Sequence, residues 1–318
     1  MVGAVTYGPV IVFCLLTSIY LIWEWNFPSA KYIPEKKFNF EDFVVASQMQ
    51  RADNNLDAEI LIVGDSSSLM GVNPTIVEKN LDTKLRVESL AAIASIYPSG
   101  FLKLVENYLK KNDPPQILII QINPVTLSDQ PEWFQQKHRR WVEHNFRQSQ
   151  SSLFDYPKRK FKSQMSKVVE YPLPNKYGEF YGWPTNLSKF FHSNNGTLVD
   201  PGPKIDWDDQ PHYFAINTHY TTQFLQAARI INAIESPNVF LIFTPNILSK
   251  NSAETALTRS FSYSYAVRLL GLQEEDSLLL PETMADEFFI STHHLNKAGR
   301  EEFSKILAEA LNDWLGRE

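Results

Sequence analysis

Residues 59–68, which read EILIVGDSSS, decide the fold class. The run EILIV at 59–63 is short and almost wholly apolar, which is typical of a strand buried on both faces of a parallel sheet. The turn that follows, Gly64–Ser68, is made of small and polar residues. Because functional groups in open parallel sheets gather at the carboxyl ends of the strands, this turn is the first candidate site.

Further apolar strands alternate with helical patterns on both sides of a long interruption. Strands are predicted at 85–90, 116–122, 238–243 and 277–280, and helices at 41–50, 74–80, 98–111, 218–235, 253–270 and 297–315. Strands that alternate with helices indicate a parallel sheet covered by helices. We therefore predict an α/β domain over residues 58–318, with an aromatic, polar insert at about 129–215.

The N-terminal segment has a different character, because its first 23 residues carry no charge. About 20 apolar helical residues span the hydrocarbon core of a bilayer, and Trp23 and Trp25 stand where aromatic rings favour the headgroup layer. A cleaved signal peptide is the alternative, but the stretch is long for one and no small-residue cleavage site follows. We predict one transmembrane helix in residues 1–25, then a polar connector at 26–57.

Composition excludes several classes of protein. The 318 residues include 30 Lys and Arg against 36 Asp and Glu, and a formal charge of −6 disfavours a globally basic nucleic-acid binder. The single cysteine, Cys14, permits neither an intramolecular disulfide nor a paired-cysteine metal site. Glycine-rich phosphate loops and zinc-binding HExxH patterns are missing, so we expect no metal and no cofactor.

Two stretches carry candidate chemistry. Ser66 follows the first predicted strand, and a serine becomes a nucleophile only when a partner base, such as a histidine, removes its proton. The second stretch is His293-His294-Leu295-Asn296, just before the last predicted helix. Each region also has a simpler interpretation, because Ser66–Ser68 can satisfy a turn and Asn296 can cap a helix.

In combination, these residues resemble the conserved blocks of the SGNH (GDSL-type) hydrolases, over residues 58–125 and 215–318. The matching residues, in chain order, are Gly64-Asp65-Ser66, Asn123, His294-Leu295-Asn296 and Gly299. The resemblance implies the SGNH hydrolase fold, a flavodoxin-like three-layer sandwich with a parallel sheet.

The resemblance also implies roles for individual residues. Ser66 is the expected nucleophile and His294 the expected general base. The Asn123 amide and the Ser66 backbone N–H are the expected oxyanion donors, which act on charge that develops in the transition state. Gly64 and Asp65 support this turn.

Two positions depart from the family. Ser291 stands three residues before His294, where the family has an aspartate that orients the imidazole and stabilises its charged form. Asp286 or Glu287 are alternative acids. The stretch 89–95 (SLAAIAS) has alanines where an oxyanion glycine is expected, so a backbone N–H of Ala91 or Ala92 is the substitute donor. A Ser–His dyad, a recruited acid and a degenerate, inactive member all stay open.

The anchor points to a particular group within the family. The chain resembles bacterial membrane-anchored SGNH proteins that work beside membrane-bound O-acyltransferases in alginate O-acetylation and teichoic acid D-alanylation. The resemblance implies a single-pass protein of the bacterial inner membrane, with an extracytoplasmic domain and a glycan substrate. By contrast, Lys31, Lys36 and Lys37 follow the anchor and no Lys or Arg precedes it, which taken alone favours a cytoplasmic domain.

The insert concentrates positive charge. Residues 137–167 hold nine of the 30 Lys and Arg, with aromatic residues between them. An anionic glycan, a lipid surface or a membrane partner would suit such a segment, whereas nucleic acid is not expected for an anchored chain. A solvated amphipathic helix is the simpler alternative. The candidate surface residues are Arg139, Arg140, Trp141, Lys158 and Arg159.

Overall fold

The computed structural model describes residues 40–123, 142, 194–198, 221–234, 238–250, 253–272, 278, 280–291 and 294–317. The predicted anchor at 1–25 and most of the insert at 129–215 lie outside these residues. Among the helices that are described, none has both the length and the apolar character needed to cross a membrane.

Four parallel strands form the main sheet in the order β2-β1-β3-β4. They are β1 (Ile60–Gly64), β2 (Val87–Ser89), β3 (Ile117–Ile122) and β4 (Asn238–Phe243). The parallel α/β architecture predicted from the sequence is confirmed, and the strand order is that of flavodoxin-like folds. In this order the chain leaves β1 toward β2 on one side and later fills β3 on the other. The crevice between the ends of β1 and β3 is therefore the topological switch point, where ligands bind in such sheets.

Helices cover the sheet, and a second, two-stranded sheet lies beyond β4. The helices are α1 (Phe40–Ala52), α2 (Ser66–Gly71), α3 (Pro74–Asn80), α4 (Tyr97–Tyr108), α5 (Thr221–Ala233), α6 (Ala253–Leu270) and α7 (Lys297–Leu315). The small sheet pairs β5 (Asn246–Ile247) with β6 (Thr283–Met284).

Two hydrophobic clusters separate the layers. Leu61 and Val63 of β1 pack with apolar residues of α1, α4, α5 and α6. Ile60 and Ile62 point the other way and pack with α3 and α7. Successive strand side chains alternate between faces. Since both faces of β1 are buried, its sequence reads as a continuous apolar run.

The first helix differs from its prediction as part of a connector. Val44, Val45 and Met49 of α1 are buried in the core, so the α/β fold begins before residue 58. The stretch looked like a connector because it also carries polar residues, and three of these, Ser47, Gln48 and Arg51, are buried too. Gln48 Nε2 donates to the Gly196 carbonyl, and Arg51 forms an ion pair with Glu88.

The strand predicted at 277–280 is also placed differently. Leu278 and Leu280 lie outside strands, and the pairing forms instead at Thr283–Met284. Both leucines pack against the hydrophobic cluster that contains α7, which accounts for the apolar signal in the sequence.

Candidate active site

The turn after β1 presents Ser66 at the carboxyl edge of the sheet. Gly64 ends the strand, Asp65 is the N-cap of α2, and Ser66 is the first residue of that helix. The buried Asp65 carboxylate accepts the Ser67 N–H at 2.9 Å. A Cβ on Gly64 would lie 1.7 Å from the Gln121 carbonyl oxygen of β3, so this close approach of two strands requires glycine.

The loop before α7 brings His294 to the serine. His294 Nε2 lies 3.1 Å from Ser66 Oγ, although the two residues are 228 positions apart in the chain. The Ile290 N–H donates to the His294 carbonyl, and Phe289 and Leu295 form an antiparallel bridge. Leu295 is fully buried. The loop is thus held from both sides, and it places the predicted base within hydrogen-bond reach of the predicted nucleophile.

Asn296 and Gly299 explain the rest of the C-terminal motif in physical terms. Asn296 caps α7, because its side-chain oxygen accepts the Gly299 N–H at 3.0 Å. A Cβ on Gly299 would lie 2.2 Å from the Phe288 carbonyl oxygen. These contacts fix where α7 begins, and with it the position of His294, two residues before the cap Asn296.

Asn123 lies beside the serine turn, at the carboxyl end of β3. It is buried, and its backbone N–H donates to Asp65 Oδ2 at 2.8 Å. The predicted oxyanion residue is therefore fastened to the residue that caps the nucleophile's helix. Both lie at the switch point between β1 and β3.

The structure gives Ser291 a role in the backbone of the histidine loop. Its Oγ accepts the His294 backbone N–H at 3.1 Å. Of the alternative acids, Asp286 receives the Ser249 N–H at 3.0 Å and pairs with the Ser249 hydroxyl. Glu287 is exposed, and its carbonyl accepts the Asn296 side-chain amide.

The substitute oxyanion donors expected at 91 and 92 have other acceptors. The Ala92 N–H donates to the Gly64 carbonyl at 2.8 Å, and the Ala91 N–H donates to Ser89 Oγ at 3.1 Å. The Ala92 bond forms because the backbone pairing between β1 and β2 continues past the end of β2, whereas the Ala91 N–H bonds a side chain two residues earlier. These two N–H groups therefore serve the fold rather than the site.

Three polar side chains near Ser66 were not anticipated from the sequence. Ser67 Oγ donates to Asp65 Oδ1 at 2.5 Å and lies 2.6 Å from Thr244 Oγ1. Gln121 Nε2 donates to Thr244 Oγ1 at 3.4 Å. Thr244 directly follows β4, so the same carboxyl-end rule that selected Ser66 could have selected it.

Of the insert, the structure describes Val142 and residues 194–198. The predicted surface residues Arg139, Arg140, Trp141, Lys158 and Arg159 lie outside the described residues. The Leu198 N–H donates to the Leu69 carbonyl of α2, and Arg300 donates to Thr197 Oγ1. Burial lowers the pKa of Arg300 to about 10. This part of the insert thus lies against the helix that begins with Ser66.

Comparisons with protein-family models, curated proteins and solved structures find no match to the chain. The chemistry of the site is therefore inferred from its own geometry. An imidazole at hydrogen-bond distance from a serine hydroxyl can take its proton and so activate the serine for attack on an electrophilic carbon.

Proposed function

We propose that this protein is an SGNH-type serine esterase or O-acyltransferase. The observation that carries the proposal is the 3.1 Å separation of His294 Nε2 and Ser66 Oγ at the carboxyl edge of a parallel sheet. Asn123, whose backbone N–H is bonded to Asp65 beside the same turn, is the proposed oxyanion residue.

The reaction proceeds in two balanced steps. Ser66 Oγ attacks the ester carbonyl carbon while His294 Nε2 takes the hydroxyl proton. The tetrahedral intermediate then collapses, and the leaving alcohol receives that proton, which leaves an acyl group on Ser66. In the second step water, or a hydroxyl of an acceptor sugar, attacks the acyl-serine with His294 as base, and Ser66 regains its proton.

Oxyanion stabilisation falls to the Ser66 backbone N–H and the Asn123 side-chain amide. The N–H groups in the first turn of a helix have no acceptor within the helix, so the Ser66 N–H is suited to a developing negative charge. The Ala91 and Ala92 N–H groups are left out of this set because other groups accept their hydrogen bonds.

The proposed setting is the bacterial inner membrane. The uncharged segment Val2–Trp23 would tether an extracytoplasmic domain, which would act on a cell-surface polysaccharide beside a membrane-bound O-acyltransferase. The basic, aromatic stretch at 137–167 supports an anionic glycan or a membrane partner. The resemblance to membrane-anchored SGNH proteins is the second support for this setting.

Hydrolysis of p-nitrophenyl acetate tests the proposed chemistry. We expect the parent protein to become acetylated on Ser66 during turnover. In Ser66→Ala the rate of hydrolysis should fall by about 1,000-fold or more, because oxyanion donors without the nucleophile give only residual catalysis. Ser260→Ala is the matched control, since this serine lies exposed on α6 and should leave the rate unchanged. Parental turnover in Ser66→Ala would exclude the serine mechanism.

A second candidate is a catalytically degenerate SGNH domain that acts as a scaffold for the acyltransferase or for a polysaccharide export machine. Ser291 favours it, because this uncharged side chain stands where the family has an acid and it bonds the His294 backbone. A Ser66→Ala/His294→Ala double variant separates the two candidates in cells. Normal acylation of the polysaccharide would favour the scaffold, and loss of acylation would favour the enzyme.

A further inference from the structure

A chain of buried hydrogen bonds connects the far strand β4 to the candidate nucleophile. Thr244 is 1% exposed and Ser67 is 1% exposed, and their hydroxyl oxygens are 2.6 Å apart. Ser67 is the residue next to Ser66, and its hydroxyl also lies 2.5 Å from Asp65 Oδ1. The Asp65 carboxylate then reaches Asn123 through Oδ2.

The single proton of each hydroxyl sets the direction of these hydrogen bonds. The Ser67 hydroxyl donates its one proton to Asp65 Oδ1. The oxygen of Ser67 then accepts the Thr244 hydroxyl proton, and Thr244 in turn accepts the Gln121 Nε2–H. Hydrogen bonds that run in one direction along such a chain polarise and strengthen one another.

This chain of bonds, from Gln121 through Thr244 and Ser67 to Asp65, is called the relay. It connects the two proposed sources of oxyanion donors, Ser66 and Asn123. Asp65 caps α2, whose first residue supplies the Ser66 Oγ and N–H, and Asp65 also accepts the Asn123 backbone N–H. Any movement of the Asp65 carboxylate would change the spacing between Ser66 and Asn123. Through Ser67, the Thr244 hydroxyl that follows β4 holds the Asp65 carboxylate in place.

The polar side chains of the relay are poor choices for stability alone. Gln121 is fully buried within the apolar strand β3, and no described group donates to its Oε1. A buried acceptor without a donor lowers stability, so each such group in a folded protein calls for an explanation. A role in shaping the site supplies one.

We propose that Thr244 and Ser67 are positioning residues that set the geometry between Ser66 and Asn123 through Asp65. This inference rests on the proposed function, since it concerns the same acyl-transfer site. Thr244, directly after β4, bonds Ser67 and Gln121, so its proposed role is exerted through Asp65 and not by contact with Ser66 or His294.

The test compares Thr244→Val with Thr244→Ser in the full chain, with p-nitrophenyl acetate as substrate. Valine keeps the shape and removes the hydroxyl, whereas serine keeps the hydroxyl. We expect Thr244→Val to lower kcat about tenfold with little change in KM, as for the loss of one hydrogen bond. Thr244→Ser should stay within about twofold of the parent, because the hydroxyl that donates to Ser67 is retained.

Ser67→Ala provides the second variant, because it removes the same link from the α2 side if Thr244→Val fails to fold. The double variant Ser67→Ala/Thr244→Val should be no slower than Ser67→Ala, since residues of one relay are not additive. Parental kcat in Thr244→Val, or an equal loss in Thr244→Ser, would overturn the inference. Parental turnover in Ser66→Ala would instead overturn the proposed function, which is a separate result in the same assay.

Discussion

Two buried carboxylates near the main sheet differ in their partners: Asp65 is held by neutral N–H and hydroxyl donors, and Glu88 by a cation. Asp65, at the end of β1, is held by backbone N–H groups of Ser67 and Asn123 and by the Ser67 hydroxyl. Glu88, within β2, forms an ion pair with Arg51 at 2.6 Å. Burial raises the pKa of Glu88 and lowers the pKa of Arg51, in each case against the attraction of the partner.

The difference separates a carboxylate that holds elements of the fold together, Glu88, from one that shapes the candidate site, Asp65. Desolvation outweighs attraction in the Arg51–Glu88 pair, as is common for buried ion pairs. That pair fastens α1 to β2, where Asn195 also bonds Ser89 and covers the outer edge of the sheet. Asp65 instead lies at the switch point, where the proposed chemistry takes place. We therefore expect substitutions in the Arg51–Glu88 pair to lower stability alone, and substitutions of Asp65 to lower both stability and activity.

The largest effect is expected from Gly64→Ala. The added Cβ would meet the Gln121 carbonyl at 1.7 Å, so β1 and β3 must separate beneath the serine turn. We expect a loss of more than about 4 kcal/mol in the free energy of unfolding, measured by urea denaturation. Gly71→Ala is the matched control at the other end of α2, because its Cβ would have only ordinary contacts of 3.7 and 3.8 Å. Similar stability of the two variants would contradict so close an approach of β1 to β3.

Arg51→Met follows in size and leaves Glu88 buried without its cation. We expect a loss of about 3–5 kcal/mol in the free energy of unfolding at pH 7, with kcat unchanged for the folded protein. Removing Arg51 takes away attraction that lowers the pKa of Glu88, so the pKa rises further above its unfolded value of about 4.5. The folded state then holds the proton more tightly, so stability recovers as the pH falls through this raised pKa and is lost as the pH rises.

A double variant, Arg51→Met/Glu88→Leu, is the control for that prediction. Replacing both partners removes the unpaired charge, so most of the lost stability should return. A double variant as unstable as Arg51→Met would show that packing of the arginine stem, rather than the uncompensated charge, is responsible.

Asp65→Asn is expected to have a smaller effect on stability and a distinct effect on rate. It weakens hydrogen bonds to a charged group, so we expect a loss of about 1.5–3 kcal/mol in the free energy of unfolding. Because Asp65 joins α2 to Asn123, kcat for p-nitrophenyl acetate should fall as well. Asp53→Asn serves as control, since this partly exposed carboxylate pairs with Lys111 at the surface and takes no part in the relay. An unchanged kcat in folded Asp65→Asn would remove the distinction between the two carboxylates.

The smallest effect is expected from Gln121→Met. Methionine has a similar volume and removes the Oε1 that no described group satisfies, so stability should change by less than about 1 kcal/mol in either direction. Thr244 would lose its Nε2–H donor at 3.4 Å, and a small fall in kcat should follow. A large loss of stability, seen as a lower Tm, would show that the glutamine is needed for the fold.

Much of this fold was readable from the sequence because the strands are buried on both faces. Runs such as EILIV and NVFLIF give β1 and β4 within about one residue, and Asn296 marks the start of α7. Local patterns could not show that the polar face of α1 enters the core, since its partners Glu88 and Gly196 lie far along the chain.

The site was readable in part, and for a different reason. Ser66 was found from its place after a strand, whereas its pairing with His294 followed from resemblance to a family and not from spacing. Thr244 and Ser67 were not found, because hydroxyls in turns ordinarily satisfy local backbone groups. The Ala92 expectation failed because a continuing strand pairing was invisible in the sequence.

The most direct measurement is phosphonylation by a fluorophosphonate probe followed by mass mapping of the modified peptide. An activated serine displaces fluoride from the probe, and the histidine takes the hydroxyl proton. We expect a single adduct on Ser66, absent from Ser66→Ala and formed much more slowly in His294→Ala. An adduct on another serine, or labelling of His294→Ala at the parental rate, would contradict the Ser66–His294 mechanism.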